Sequence, residues 1–326
     1  MRSLLVRVFV LGLALLLLAI LLRGLNFGAV IQSLKQVGLL GFALVVGTGL
    51  GLTACLASGL YPLLPGAPAR LVFAARQVRD SAGDILPFTQ IGGIALGMRV
   101  LSLGGIAPAR ALAAGMVDVT TELMAQSLFI LAGLGLAAPV IRADTRLGPY
   151  FTWLLAGALL FALGILVFVF LQLAGSRLAE RMLQVPKLGQ GATAFREALH
   201  HLYRQRVRVA LSVALHLLGW CASGLWLWLV FLVLGKSIAP GSALAIQSLL
   251  EALRSATVFV PAAVGIQEAG YAALGALFGF APETGLAVSL LRRARDITVG
   301  VPVLLAWQAV EARRIGGKPQ AGLISE

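Results

Sequence analysis

Five predominantly apolar stretches, 4–22, 38–60, 111–137, 150–173 and 209–234, are each about long enough to cross the roughly 30 Å of hydrocarbon in a bilayer. A broken hydrophobic region follows them, from 242 to 312. Backbone at that depth has no water to bond, so such runs must satisfy their own N–H and C=O groups as helices. Their hydrophobicity is continuous rather than alternating, which argues against a β-barrel. The expected fold class is all-α, a polytopic integral membrane helical bundle forming one transmembrane domain over 1–326. Composition agrees: 59% of residues are hydrophobic, 12% are charged and the mean hydropathy is +0.95, unlike any water-soluble domain.

Arg2 and Arg7, at the start of the first stretch, resemble the beginning of a signal peptide, but "LAILLRGLN" offers no small-residue cleavage site. An uncleaved first helix is expected. Cys55 and Cys221 both fall in apolar stretches and the three histidines are scattered. No disulfide framework, metal site or cofactor is expected from them.

The net charge of +13 is unevenly distributed. Segment 175–208 carries Arg177, Arg181, Lys187, Arg196, Arg204, Arg206 and Arg208 against Glu180 and Glu197, which reads as a basic cytoplasmic loop. Arg2, Arg7, Arg70, Arg76, Arg79 and the tail "EARRIGGK" fall on the same side, giving an N-in, C-in topology. The loop containing Arg142, Asp144 and Arg146 falls outside. Much of the basicity is thus topological, with an added attraction for anionic headgroups. No aromatic and basic platform accompanies it, so nucleic acid is not an expected partner. Segments 69–83 and 195–208 look amphipathic and are expected to lie along the inner leaflet.

Laying 81–126 over 255–300 aligns "SAGDILP" with "SATVFVP" and "GIAPARALA" with "GFAPETGLA", and sets Glu122 on Asp296. Pro87 to Pro108 and Pro261 to Pro282 share one spacing. Two repeats are expected, 66–138 and 236–312, and the span count makes them inverted. Each opens with a Pro- and Gly-interrupted segment, 84–103 and 256–280. Each is read as a re-entrant or broken helical hairpin hinged at Pro87, Gly92 and Gly93, or at Pro261 and Gly265. Interrupted segments in matching halves point to a midplane site in transporters.

Charged residues collect in these repeats. Asp118, Glu122 and Gln126 recur every four residues, as do Gln247, Glu251 and Ser255, and Arg292 and Asp296. Arg254, Arg293 and Arg295 stand beside them, and Arg99 and Glu268 sit in the broken segments. An uncompensated charge at a helix centre costs at least ~2.5–3.5 kcal/mol, so these groups must be paired, hydrated or interfacial. The reading is a buried polar pathway, with the arginines of the second repeat countering the acidic stripe of the first. The competing structural readings are an ion-pair lock between helices, or "RRAR" capping a short last span, 296–312.

The run "VPAAVGIQEAGYAALGALFGFAPETGLAVSLLRRARDITVGVPVLLAWQ", 260–308, resembles the transmembrane region of lysylphosphatidylglycerol synthases, a flippase-like membrane family. With "SAGDILPFTQIGGIALGMRVLSLGGIAPARALAAGMVDVTTELMAQ", 81–126, it is similar to the branch associated with hopanoid biosynthesis. The resemblance implies a bacterial inner-membrane protein that handles or translocates a lipid, a hopanoid or a phospholipid, and it makes the polar pathway a lipid-binding one. Matching positions are Pro261, Gly265, Glu268 and Arg292 to Asp296, then Pro87, Gly92, Gly93, Arg99, Asp118 and Glu122. Family members commonly carry glycine after the second proline, where this chain has Ala262 and Ala263, so a very tight turn is not expected there. With the sequence ending at Glu326, a soluble aminoacyl-transferring domain and lysyl transfer are not expected.

Two other functions compete. Asp80-x-x-x-Asp84 and Asp118-x-x-x-Glu122 are acidic pairs at helical spacing, as an enzyme holding Mg²⁺ against a prenyl diphosphate would need, although Arg76 and Arg79 flank Asp80. A non-transporting scaffold would instead partner other lipid-synthesis membrane proteins. No P-loop motif occurs.

Overall fold

The computed structural model describes residues 27–85, 90–182, 190–257, 260, 263 and 265–316. Among them there are ten α-helices and no strand: α1 Phe27–Ala57, α2 Ala69–Ile85, α3 Gln90–Leu103, α4 Pro108–Ala143, α5 Phe151–Met182, α6 Gln190–Arg204, α7 Arg206–Val233, α8 Pro240–Ala256, α9 Ile266–Leu277 and α10 Pro282–Gly316. Lys35–Leu63, Pro108–Ala143, Gly148–Gln172 and Arg206–Val233 are long and apolar enough to cross a membrane. They match four of the five apolar stretches read from the sequence; the stretch 4–22 lies outside the described residues.

Local chemistry sets the helix ends. Pro108, Pro240 and Pro282 open α4, α8 and α10, where a missing N–H costs nothing. Gly105 (φ 97°) and Gly279 (φ 86°) take left-handed conformations that reverse the chain before two of them. After α4, the Asp144 carboxylate accepts from the N–H groups of Arg146 (2.8 Å) and Leu147 (2.9 Å), which hold its pKa below the ordinary carboxylate value. Arg142 lies 4.3 Å over the Phe151 ring, tying α4 to the start of α5.

The triplet α2, α3, α4 recurs as α8, α9, α10 at the offset read from the sequence. Helix α3 ends at Leu103 and α9 at Leu277; the glycines and helix-opening prolines that follow correspond as well. In each triplet the two short helices pack as a hairpin. Each long helix also packs on the first helix of the other triplet, α4 on α8 and α10 on α2. This reciprocal exchange encloses the space between the triplets.

The hinges differ from expectation. Pro87 and Pro261 lie outside the described residues. Gly92 and Gly93 are not at the break but inside α3, where a Cβ on Gly93 would come within 2.5 Å of the Arg79 carbonyl oxygen. Their missing side chains let α3 close on α2. Gly265 (φ 80°) does sit at a break, as the N-cap of α9, and its N–H donates to Glu268 Oε2 at 2.8 Å. Of the two alanines expected to loosen the turn, Ala262 lies outside the described residues and Ala263 takes φ 47°, the left-handed conformation that favours glycine. A left-handed alanine carries roughly 1–2 kcal/mol of strain that a glycine would not.

Segment 69–83 does not lie along a leaflet. Helix α2 is interior, with Arg76, Gln77 and Ser81 buried beside Val72, Ala75 and Val78. Its polar face looks into the bundle rather than to water. Helix α6 buries Leu199 and Leu202 against the core formed with Leu63, Leu101 and Val117. Helix α5 exposes Trp153, Leu160, Leu163 and Phe170, the surface of a helix that faces lipid.

Gly285 in α10 supports the second hairpin, since a Cβ there would meet the Tyr271 carbonyl oxygen at 2.2 Å. Backbone cannot yield as a side-chain tip can. Gly285→Ala is expected to destabilise by about 1–3 kcal/mol, whereas Gly157→Ala on α5, with nothing within 4 Å of its Cβ, should be neutral or slightly stabilising. Thermal unfolding of both variants in detergent checks this.

Candidate lipid-headgroup cavity

Glu122 lies 14 residues into α4 and Asp296 lies 14 residues into α10. At 1.5 Å per residue each is roughly 21 Å from its helix start. Between them is a cavity of about 420 Å³, the size of a small-ligand site, walled by α1, α2, α3, α4, α7, α8 and α10.

The wall on the first triplet is tightly bonded. Arg76 donates through Nη2 to Glu122 Oε1 at 2.6 Å and through Nε to Asp80 Oδ2 at 2.8 Å. Arg79 donates to Glu122 Oε2 at 2.5 Å and to Asp118 Oδ2 at 2.9 Å. The remaining Asp118 oxygen, Oδ1, is 2.9 Å from His216 Nε2 on α7. Helical spacing explains the convergence: Arg76, Arg79, Asp80 and Asp84 lie three or four residues apart on one face of α2, opposite the Asp118 and Glu122 face of α4.

The wall on the second triplet is looser. Arg292 Nη1 donates to the Tyr271 hydroxyl at 2.8 Å, and that hydroxyl donates to Gln247 Oε1 at 3.1 Å. Glu251 accepts from Gln247 at 2.9 Å and stands 3.6 Å from Arg292. Arg254 lies 3.5 Å from both Glu251 and Asp84, bridging the two triplets. Arg295 bonds Asp296 at 2.8 Å, reaches the Gly49 carbonyl of α1 at 2.6 Å, and lies 5.6 Å from the Trp226 ring centroid.

Of the residues singled out in the sequence, Glu122, Glu251, Arg254, Arg292, Arg295 and Asp296 line this cavity. Asp118 lies behind the lining and is buried. Glu268 and Arg293 instead pair directly with each other, on the residue that caps α9. Arg99 is elsewhere, half exposed and 2.8 Å from Glu311. The pairing expected between repeats is also corrected. Asp118 and Glu122 are countered not by Arg292 and Arg295 but by Arg76 and Arg79 of their own triplet. Because α10 runs unbroken from Pro282, "RRAR" lies inside a helix and does not cap a short last span.

Sequence reading passed over Arg76, Arg79, Tyr271 and His216. The α2 residues gave a signal, a polar helix face, but it was assigned to the membrane surface. Tyr271 and His216 are single residues in apolar helices, with no spacing pattern to mark them.

Lining charges balance: Arg76, Arg79, Arg254, Arg292 and Arg295 against Asp80, Asp84, Glu122, Glu251 and Asp296. The carboxylates of both acidic pairs are engaged by the chain's own cations. Four buried atoms on lining residues have no hydrogen-bond partner among the described residues: Arg76 Nη1, Arg295 Nε, Trp220 Nε1 and Gln77 Oε1. Such atoms in a low-dielectric site are unmet demand that a polar ligand or water can fill.

The profile of the family described as "Lysylphosphatidylglycerol synthase TM region" matches residues 4–305. No curated protein and no solved structure matches the chain.

Removing one member of a buried ion pair costs ~3–5 kcal/mol, because its partner is left charged and alone. Glu122→Gln should therefore cut folded yield sharply. In a double-mutant cycle it should couple to Arg76→Gln by more than about 1 kcal/mol, and to Arg292→Gln, which shares no partner with it, by less than about 0.5 kcal/mol. Chemical or thermal unfolding in detergent supplies the four corners of each cycle.

Proposed function

The chain belongs to the family of the lysylphosphatidylglycerol synthase transmembrane region, and from that premise we propose that it moves a lipid between leaflets by passing the headgroup through the charged cavity. The family makes it a membrane protein related to lipids; translocation is the reading the site supports best. One observation carries it: ten balanced ionisable groups line a space of about 420 Å³ inside the bundle. A polar headgroup cannot cross hydrocarbon unaided, for the same reason that lone charges are costly there. A cavity that offers donors and acceptors already desolvated replaces the headgroup's water, while the apolar part of the lipid stays in the bilayer.

The reciprocal packing of two like triplets supports alternating access, in which one unit rocks against the other around a fixed central site. In this reading the triplets are inverted, because α4, α5 and α7 make three crossings between the start of α4 and the start of α8. The basic stretch containing Arg204, Arg206 and Arg208 then faces the cytoplasm of a bacterial inner membrane, with both termini inside. A hopanoid or its precursor is the cargo suggested by the resemblance of 81–126 and 260–308.

Topology is tested by Q190C, which should resist an impermeant thiol reagent in intact cells and react after permeabilisation. Labelling in intact cells would reverse the assignment.

Function is tested in proteoliposomes carrying a trace of fluorescent phosphatidylglycerol, with intact membranes of the deletion strain assayed for hopanoid leaflet distribution. Wild type should expose inner-leaflet probe to a membrane-impermeant quencher without altering it chemically. Arg292→Gln, which keeps the tighter Arg76 and Glu122 wall, should lower that rate at least about tenfold, equivalent to roughly 1.4 kcal/mol. A chemically new lipid would favour an enzyme. Neither movement nor a product, together with an unchanged hopanoid distribution, would favour a scaffold.

A further inference from the structure

The charges lining the cavity cancel, but Asp118 is not among them. It lies one turn before Glu122 on α4, with its side chain 4% exposed, and adds one negative charge to a balanced set. The group that meets this surplus is His216. Its ring is 0% exposed and its Nε2 stands 2.9 Å from Asp118 Oδ1.

The imidazole occupies a made-to-measure seat. In the turn Ser58–Leu63, Gly59 presents bare backbone to it, and a Cβ there would fall 2.4 to 2.6 Å from three ring atoms. One turn earlier on α7, Ser212 bonds Thr121 of α4 at 2.8 Å, which fixes the register that brings His216 to Asp118. The other ring nitrogen, Nδ1, is buried without a hydrogen-bond partner among the described residues. Asp118 and Glu122 of α4 face the ring, with Arg76, Arg79 and Asp80 of α2 behind them. The α8 groups Glu251 and Arg254 face each other, Arg208 of α7 turns to the Pro62 carbonyl, and Lys35 of α1 is exposed.

We infer that His216 and Asp118 form a proton-binding site that couples the cavity to a proton gradient. The coupling runs through Arg79. Its guanidinium spans Asp118 Oδ2 at 2.9 Å and Glu122 Oε2 at 2.5 Å, and Arg79 also lines the cavity. Because the ring is enclosed in this state, water reaches it only when the triplets move apart; a proton then taken by the imidazole neutralises Asp118 from the His216 side and frees the Arg79 donor for an incoming headgroup. Loss of that proton to water on the other side returns Arg79 to Asp118. One proton enters and one leaves; no bond in the lipid changes. The site rests on the translocation reading for its purpose, but its chemistry can be measured without any lipid cargo.

The first measurement uses [¹⁵N]histidine NMR of the full chain in phosphatidylcholine nanodiscs. The sequence holds three histidines, so H200Q/H201Q leaves His216 as the sole signal. The signal should report both imidazolium and neutral forms as the pH of the bathing solution is changed. Asp118→Asn in that background should weaken proton binding about tenfold or more, one unit in the midpoint. A ring fixed in one form throughout, or a midpoint indifferent to Asp118→Asn, overturns the site.

The second measurement follows fluorescent phosphatidylglycerol in proteoliposomes with and without an imposed pH gradient. The gradient should accelerate wild type severalfold and leave His216→Gln unaccelerated. Equal acceleration of both overturns the coupling. A titrating His216 in a protein that moves no probe lipid, and whose loss leaves the hopanoid distribution unchanged, would overturn translocation and leave the proton site standing.

Discussion

Two arginines held by three carboxylates inside the bundle set the terms for the rest of this molecule. Arg76 and Glu122 are almost wholly buried, with side chains 5% and 9% exposed. Neither can be in lipid without the other. Pairing them requires α2 to enter the bundle rather than rest on its surface, and α2 is too short and too polar to cross alone. It must come in as half of a hairpin. The hairpin in turn requires close approach of α3, which Gly93 and Gly97 allow by leaving space for the Arg79 and Ala75 carbonyl oxygens. The glycines thus follow from the charges, one step removed.

The second triplet repeats this architecture with different signs. Asp118 corresponds to Arg292, Asp80 to Arg254 and Gln77 to Glu251. A conserved backbone plan therefore encloses one cavity with walls of unlike character. In the first wall each oxygen of Glu122 and Asp118 has its own partner within 2.9 Å. In the second, Arg254 and Glu251 meet at 3.5 Å and Arg292 and Glu251 at 3.6 Å. Distances of that order are weak bonds, easily exchanged for a ligand. The first wall holds the bundle together, and the second has slack.

What the sequence disclosed follows from what periodicity can carry. Four of the long apolar stretches fall on described spans, Pro108 and Pro282 open α4 and α10, and the four-residue charged stripes lie on α4, α8 and α10, whereas the stretch 4–22, Pro87 and Pro261 lie outside the described residues. A polar face on a short helix is a different kind of signal. Spacing identified the face of α2 but not its surroundings, because headgroups, water and a buried cavity all ask for the same residues. The same gap explains the misassigned partners of Asp118 and Glu122: Arg76 and Arg79 had been allotted to the membrane surface, leaving only the distant arginines to balance the acids. Arg99 was miscounted for the converse reason, since its helix is central but its own face is turned outward to Glu311.

Successive residues of a helix point about 100° apart, so a cluster of charges on α10 cannot serve a single purpose. Arg292 faces the cavity through Tyr271, Gln247 and Glu251. Arg293, next in sequence, turns to Glu268, whose other oxygen caps α9 at Gly265. Arg295 turns to the Gly49 carbonyl of α1, where only a residue without a Cβ leaves room for its guanidinium. One turn of α10 thus grips the cavity, the second hairpin and α1 at once. Any rotation of α10 that loosens Arg292 from the cavity must also strain the hairpin tip or the α1 contact, so this turn ties the cavity wall to the packing of the surrounding helices.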